Sequence, residues 1–507
     1  KVNDLVRLVC FVIVATIQLS LSAEAPFNFE NGTGHLPRSI VPSHYTVRLE
    51  PDLITRTFQG HVRTTFTVLQ TTEVIVMNAA KLTIEAATLH FGPNAEPVVL
   101  DHRHDPATQQ LSLSLSDPLP PGSYEVELTY RGVINSNPEG FFYDRYQTPD
   151  GESELFGTQM EVPDARRVLP CWDEPAFKAT LVVPTHFVVS SNMPAIRETP
   201  LDGNRKAVAF ARTPRMSTYL LAYFGGEFEV LESNHHGIHL RILTTQGKRE
   251  QGAYALEVTR QVLDYYTDYF GVPYPLPQLD QIAIPNAFSN FGAMENWGAI
   301  GYIEPLLLYD PARSSQSTKE EVFEVIAHEI AHQWFGNLVT MGWWDNLWLN
   351  EGFASWMATK VTNDVNPDWK VWVRANASKE RAFNLDARAS THAVQLPGVT
   401  EMSAVDAFDE ISYEKGQALI RMLENYLGFE SFRDGMRTYV QRHAFSNTTT
   451  ADLWNALVEA SQQPVAQIAS GWTEQPGFPI ITATLADETL TLSQQRFSLD
   501  DPHASPL

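Results

Sequence analysis

The chain has 507 residues, too many for one ordinary hydrophobic core, so about two to four domains are expected. Its 43% hydrophobic and 19% charged residues exclude a disordered chain. The formal net charge of -24 argues against a nucleic-acid partner, because a phosphate-binding surface needs a basic patch; solubility accounts for most of that charge.

In chain order the first element is an apolar run from Leu8 to Leu21, flanked by Lys1 and Arg7 and followed by Ser22, Ala23 and Ala25. This pattern over residues 1–25 is read as a secretory signal peptide, with an uncleaved N-terminal anchor as the competing reading. The run is short for a membrane-spanning helix, which needs about 20 residues. Asn31, Asn376 and Asn447 each open an Asn-x-Ser/Thr triplet, which fits the same route as glycan acceptors. The expected location is the secretory pathway, ending at the outer face of the plasma membrane or in secretion. Of the two cysteines, Cys10 falls in this leader, and Cys171 alone cannot build a disulfide framework.

From about 37 to 228 the period is two. Val62, Thr64, Phe66 and Val68 alternate with polar neighbours, as do Leu111, Leu113 and Leu115, and Tyr124, Val126, Leu128 and Tyr130. Short alternating runs broken by turns such as Pro121-Gly122 predict a β-sandwich-like domain. From 229 to 475 the chain is read as mostly helical. The helical spacing of 250–270 stops at Gly271, with Pro273 beyond it. From 476 to 507 the pattern returns to strands, the start of a second β-sandwich that the remaining residues are too few to complete. The fold class is therefore α+β and multidomain.

The chemistry concentrates in His328-Glu329-Ile330-Ala331-His332. A capping box at Thr318–Glu321 predicts a helix start, and Val322, Val325 and Ile326 give it a buried stripe. On that helix two histidines four residues apart project from one face about 6 Å apart, and can share one tetrahedral zinc. Glu329 stands beside the open coordination position. A second helix carries Asn350-Glu351-Gly352-Phe353-Ala354, and Glu351 supplies the third ligand. Two His and one Glu leave a fourth position for water, as in catalytic zinc sites. Asp345 and Asn350 are candidates to orient the ligands. Trp343, Trp344 and Trp348 are read as core.

With these motifs the chain resembles the gluzincin aminopeptidases of the aminopeptidase N type. Eighteen residues separate His332 from Glu351, as in that family. The run Gly292-Ala293-Met294-Glu295-Asn296 matches its exopeptidase signature. Gln159-Met160-Glu161 through Cys171-Trp172-Asp173-Glu174-Pro175 matches its N-terminal domain, and Ile411-Ser412-Tyr413-Glu414-Lys415-Gly416 its tyrosine segment. The resemblance covers about 37 to 479. It implies a thermolysin-like catalytic domain, one Zn2+ per chain and peptide substrates with a free N-terminus. Glu329 would be the general base and Tyr413 the donor to the oxyanion. Glu295 and Glu161 would anchor the substrate ammonium. Gly292 and Ala293 would let an extended backbone lie close. Gln159 and Met294 would line the pocket for the first side chain.

Three features depart from the family pattern. Val162-Pro163 follows the first anchoring Glu, and 285–290 leads irregularly into the exopeptidase run. The large C-terminal part expected of the family is absent from the chain, which is read as a fragment of a longer product, attached to the membrane through its N-terminal or a missing segment. An endopeptidase is disfavoured, because Glu295 and Glu161 would block longer substrates. A receptor ectodomain with little activity would be marked by loss of Glu329 or of a ligand, and all of these are present.

Overall fold

The computed structural model describes residues 36–92, 95–149, 151–182, 184–185, 189–201, 205–401 and 403–500. The apolar run within 1–25 and the Asn31 triplet lie outside the described residues.

The alternating sequences form strands. A six-stranded sheet runs in the order Thr180–Val182, Ile40–Asp52, Thr57–Val68, Gly122–Val133, Thr83–His90, Val98–Val99. Its central pairing sets Val62 opposite Val47 on one side and Leu128 on the other. A three-stranded sheet pairs Gln110–Leu119 with Thr72–Asn78 and Asp101–Asp105. Val62, Phe66, Val126 and Leu128 of the first sheet share one core with Ile75, Met77, Leu111 and Leu113 of the second. Two sheets closing over their inward side chains make the sandwich. Strand Gly151–Gln159, in a further four-stranded sheet, points its end at the functional site and delivers Gln159 and Glu161 there.

The following part is built on a five-stranded sheet in the order Glu229–His235, Ile238–Thr244, Gln278–Ile284, Ala299–Ile303, Ala293–Met294. Among the described residues eight α-helices accompany it: α1 (Ala253–Phe270), α2 (Gln316–His332), α3 (Trp348–Val365), α4 (Val371–Asp386), α5 (Gly416–Leu427), α6 (Phe429–His443), α7 (Thr450–Ser461) and α8 (Val465–Thr473). α1 makes the crossover between two parallel strands, and stops where Gly271 turns left-handed at φ 65°. The short Ala293–Met294 pairs antiparallel with Ala299–Ile303 and forms the sheet's edge. The chain then reaches a hairpin, Pro479–Ala486 with Thr489–Arg496.

Three expectations are corrected here. Within 278–303, read as part of a helical region, Gln278–Ile284, Ala293–Met294 and Ala299–Ile303 are strands, and Gln278–Ile284 is buried along its whole length, so it does not alternate. Its polar members are matched from outside, with Asp280 taking Arg241 Nε at 2.7 Å and Ser190 Oγ at 2.5 Å. Helix α2 starts earlier than the Thr318 box, because Ser315 Oγ accepts the Thr318 N–H at 3.1 Å and caps it. Asn447 is not placed to carry a glycan: it is 5% exposed, and its amide donates to Pro175 O at 2.8 Å and Met341 O at 3.0 Å.

Candidate metal centre

Helices α2 and α3 pack against each other and bring three donors together. The Nε2 atoms of His328 and His332 are 3.0 Å apart, and Glu351 Oε2 lies 3.4 Å from each. A tetrahedral ion with bonds of about 2.1 Å spaces its ligands by about 3.4 Å, so these donors fit zinc and leave a position open. The Nδ1 of His332 donates to Phe335 O at 3.0 Å, which turns the lone pair of Nε2 into the trio. His328 Nδ1 lies 3.5 Å from Ser355 Oγ.

The electrostatics suit ligation. Burial raises Glu351, but the two histidines outweigh it and hold the carboxylate down to about 2. Burial lowers His328, keeping it neutral as a ligand must be. Burial also lowers His332, but Glu295 and Glu351 more than offset it and push it well above its ordinary value. That pull for positive charge is the one a dication satisfies while both imidazoles stay neutral.

Three further carboxylates face the trio. Burial pushes Glu329 well above the ordinary range, with His332 opposing and Glu295 and Glu351 adding. Glu295 is 3% exposed and is raised by burial, His332 opposing. Glu161 is partly buried and raised well above its usual value by burial and by Glu295. An oxygen of each of Glu161, Glu295 and Glu351 lies within 4.8 Å of the others. Glu161 Oε1, Glu295 Oε1 and Glu329 Oε2 are buried without a hydrogen-bond partner. Among the described residues neither Glu161 nor Glu295 pairs with a Lys or Arg; the nearest basic atom to Glu295 is His332 Nδ1 at 4.0 Å.

The backbone of Glu295 is fixed to the histidine helix. Gln333 Nε2 donates to its carbonyl at 3.1 Å and Asn337 Nδ2 at 2.9 Å. The irregular approach at 285–290 is fastened by Asp144, which accepts the N–H of Asn286 at 2.7 Å and of Ala287 at 3.0 Å. Gly292, at φ 86°, then turns the chain into the edge strand carrying Ala293 and Met294. Gln159, Glu161, Gly292, Ala293, Met294 and Glu295 all line one cavity of about 1070 Å3 together with the trio, Glu329 and Tyr413. Tyr413 sits in a widened turn, Ile411–Lys415, with its ring nearly parallel to that of His328 at 6.1 Å and 12°.

The sequence puts the trio on two helices and takes the cavity-lining residues from motif resemblance alone; the fold brings all of them to one cavity. The second layer is different. Asp345 bonds its neighbour Asn346 at 2.6 Å and touches no ligand. Asn350 reaches Tyr219, whose hydroxyl donates to Gly336 O at 3.1 Å. Phe335, Gln333 and Asn337 do the positioning and were not anticipated. A backbone carbonyl leaves no trace in side-chain identity; Gln333 and Asn337, just past the second histidine, were a signal. Trp343, Trp344 and Trp348 are core, at most 3% exposed.

A β-rich domain leading into a helical pair with a His-His-Glu trio resembles the zinc-dependent metallopeptidases. Comparison with known proteins narrows this. The Peptidase M1 N-terminal domain matches residues 41–220 and the Peptidase family M1 domain matches 254–472. The chain belongs to the M1 peptidase family, and zinc is its cofactor. It is 43% identical to Aminopeptidase M1 of Arabidopsis thaliana over 92% of this chain and 54% of that protein. It is 39% identical to the puromycin-sensitive aminopeptidase of Caenorhabditis elegans, over 92% of this chain and 50% of that protein. Against the alanine/arginine aminopeptidase of Saccharomyces cerevisiae it is 37% identical, over 91% of this chain and 54% of that protein. The chain thus spans about half the length of the curated relatives it matches.

These relatives overturn the expected secretory or cell-surface location. The chain matches Aminopeptidase M1, the puromycin-sensitive enzyme and the yeast enzyme across almost its whole length. No helix among the described residues is long and apolar enough to cross a membrane. The expectation rested on a run outside the described residues and on three triplets, of which Asn447 is buried. It is withdrawn.

Proposed function

We propose that this chain carries the active site of an aminopeptidase that hydrolyses the first peptide bond of peptides with a free N-terminus. The observation that carries the reading is the pair Glu161 and Glu295, each with an orphaned buried oxygen, beside the metal trio. A buried carboxylate without a cation costs several kcal/mol, so the pair asks for a cationic ligand. A substrate ammonium supplies it, and the distance from that anchor to the ligand trio then selects the first peptide bond. The names of the relatives, all aminopeptidases, support the same reading.

His328, His332 and Glu351 would hold the zinc, which when bound polarises the scissile carbonyl and acidifies a water. Glu329 accepts the proton of the attacking water and returns it to the leaving amine; its raised affinity for protons suits both halves of that task. The phenol of Tyr413, kept protonated by burial, donates to the developing oxyanion. The edge strand of Ala293 and Met294 aligns the substrate backbone, with Gly292 giving clearance. Gln159 and Met294, 6% and 1% exposed, bound the pocket for the first side chain. In this reading 37–228 supplies the anchor Glu161 and 229–475 the catalytic domain, with a β hairpin following within 476–507.

The test is Glu295→Gln, assayed on an aminoacyl arylamide and on its N-acetylated form. Wild type should cleave only the free amine. The variant should keep its zinc and lose about 100-fold in kcat/KM, since truncating one partner of a buried charge pair costs about 2–5 kcal/mol. Equal turnover of the acetylated substrate by wild type would sink the exopeptidase reading.

A further inference from the structure

Tyr413 lies in a single turn of π-type, Ile411–Lys415, that runs directly into helix α5. Such a turn holds one residue more than an α turn and is unfavourable unless something restrains it. Relaxation to an α turn would rotate the residues before it by about 100° relative to α5. Tyr413 would then leave the His328 ring.

Both ends of the turn are held. At its start, Asp409 Oδ1 accepts the N–H of Ile411 at 2.9 Å and of Ser412 at 3.3 Å. At its end, Lys415 is drawn inward. Its Nζ donates to Asp386 Oδ2 at 2.7 Å and to Gly477 O at 3.0 Å. Asp386 Oδ1 in turn accepts from Gly477 N at 2.7 Å and Thr391 Oγ1 at 2.9 Å. The Lys415 and Asp386 side chains are 9% and 1% exposed.

A buried ion pair of this kind seldom adds net stability over well-packed apolar residues. What it adds is geometry: an ammonium that must reach one carboxylate and one carbonyl fixes the direction of its backbone. Lys415 is two residues from Tyr413, and its partners sit on α4 and on the chain just before the last hairpin, so the turn is tied from outside its own helix.

We propose that Lys415 and Asp386 are positioning residues for Tyr413. Their buried ion pair keeps the turn in its wide form and so aims the phenol at the reacting carbonyl. This rests on the oxyanion role of Tyr413 given above.

The experiment compares Lys415→Met, Asp386→Asn and Tyr413→Phe, singly and in pairs, by kcat, KM and zinc content. The expected result is a 10- to 100-fold fall in kcat for either clamp variant, KM within about twofold of wild type and zinc retained. Adding Tyr413→Phe to a clamp variant should then cost little more, because the phenol is already misplaced. Lys415→Arg should restore part of kcat. If Lys415→Met does not fold, Asp386→Asn, which keeps the shape, decides. A clamp variant with kcat within twofold of wild type overturns the proposal, as does a clamp loss that multiplies fully with that of Tyr413→Phe. If Tyr413→Phe alone leaves kcat unchanged, the oxyanion role itself fails and the proposal falls with it.

Discussion

Gly352 and Gly416 meet backbone to backbone. A Cβ on Gly352 would lie 3.1 Å from the Gly416 Cα, and one on Gly416 would lie 3.2 Å from the Gly352 Cα. The first glycine follows Glu351 on α3 and the second follows the turn that carries Tyr413. Their contact therefore sets how close Glu351, the proposed third metal ligand, and Tyr413 approach.

Adding a methyl here forces backbone to move, since neither neighbour is a flexible side-chain tip. Gly352→Ala should cost about 1–3 kcal/mol of stability through overpacking. It should also lower kcat about tenfold while zinc is retained, because small displacements of reacting groups are expensive. Thermal unfolding, metal content and kcat measured on one preparation separate the two effects.

Asn447 offers a second test, independent of catalysis. Its amide closes two buried carbonyls, of Pro175 and Met341. Asn447→Ala should destabilise by about 2–3 kcal/mol, the cost of leaving such groups unsatisfied. Denaturant unfolding reads it, and a neutral substitution would mean the carbonyls find other partners.

The pH dependence of stability has a defined sign at His392. Its Nε2 donates to Asp409 at 2.9 Å and its Nδ1 to Ala393 O at 2.7 Å, so both ring nitrogens face acceptors and the imidazolium satisfies both. The Asp409 hydrogen bond raises its pKa, burial opposes, and the charges of Asp409 and Asp386 add to the rise. The protonated ring thus contributes stability that is fully present below the ordinary value near 6.5 and is lost as pH rises through the raised folded value. His392→Gln should lower the unfolding temperature at pH 6, by an amount equivalent to about 1 kcal/mol, and much less at pH 9. An equal loss at both pH values would contradict the ion pair.

The sequence was legible where one side of an element is wet. The strand with Val62, Thr64, Phe66 and Val68 shows its two faces in its letters, and those four side chains are buried. It was illegible where an element is buried on both faces. Gln278–Ile284 carries Gln278, Asp280 and Gln281 into the interior because the Ser191 carbonyl meets the first, Arg241 and Ser190 the second and Thr259 the third, and that is a tertiary fact. The metal trio was legible because His328 and His332 share one helix at a spacing set by helical geometry. The approach of Glu161 from the β-rich domain follows from no local spacing; family resemblance alone pointed to it. The cap of α2 is not legible because Ser315 and Thr318 both qualify, and only the hydrogen bond from the Thr318 N–H decides between them.

In the proposed mechanism Glu329 activates water at a zinc held by His328, His332 and Glu351. Its most direct test is metal content and aminopeptidase turnover of wild type beside Glu329→Gln. The expected result is one zinc per chain in both proteins, with kcat in the variant down by about 100- to 10,000-fold. A variant that keeps zinc and turns over within a few-fold of wild type would contradict the role of Glu329. A folded wild-type chain that takes up no zinc would contradict the centre itself.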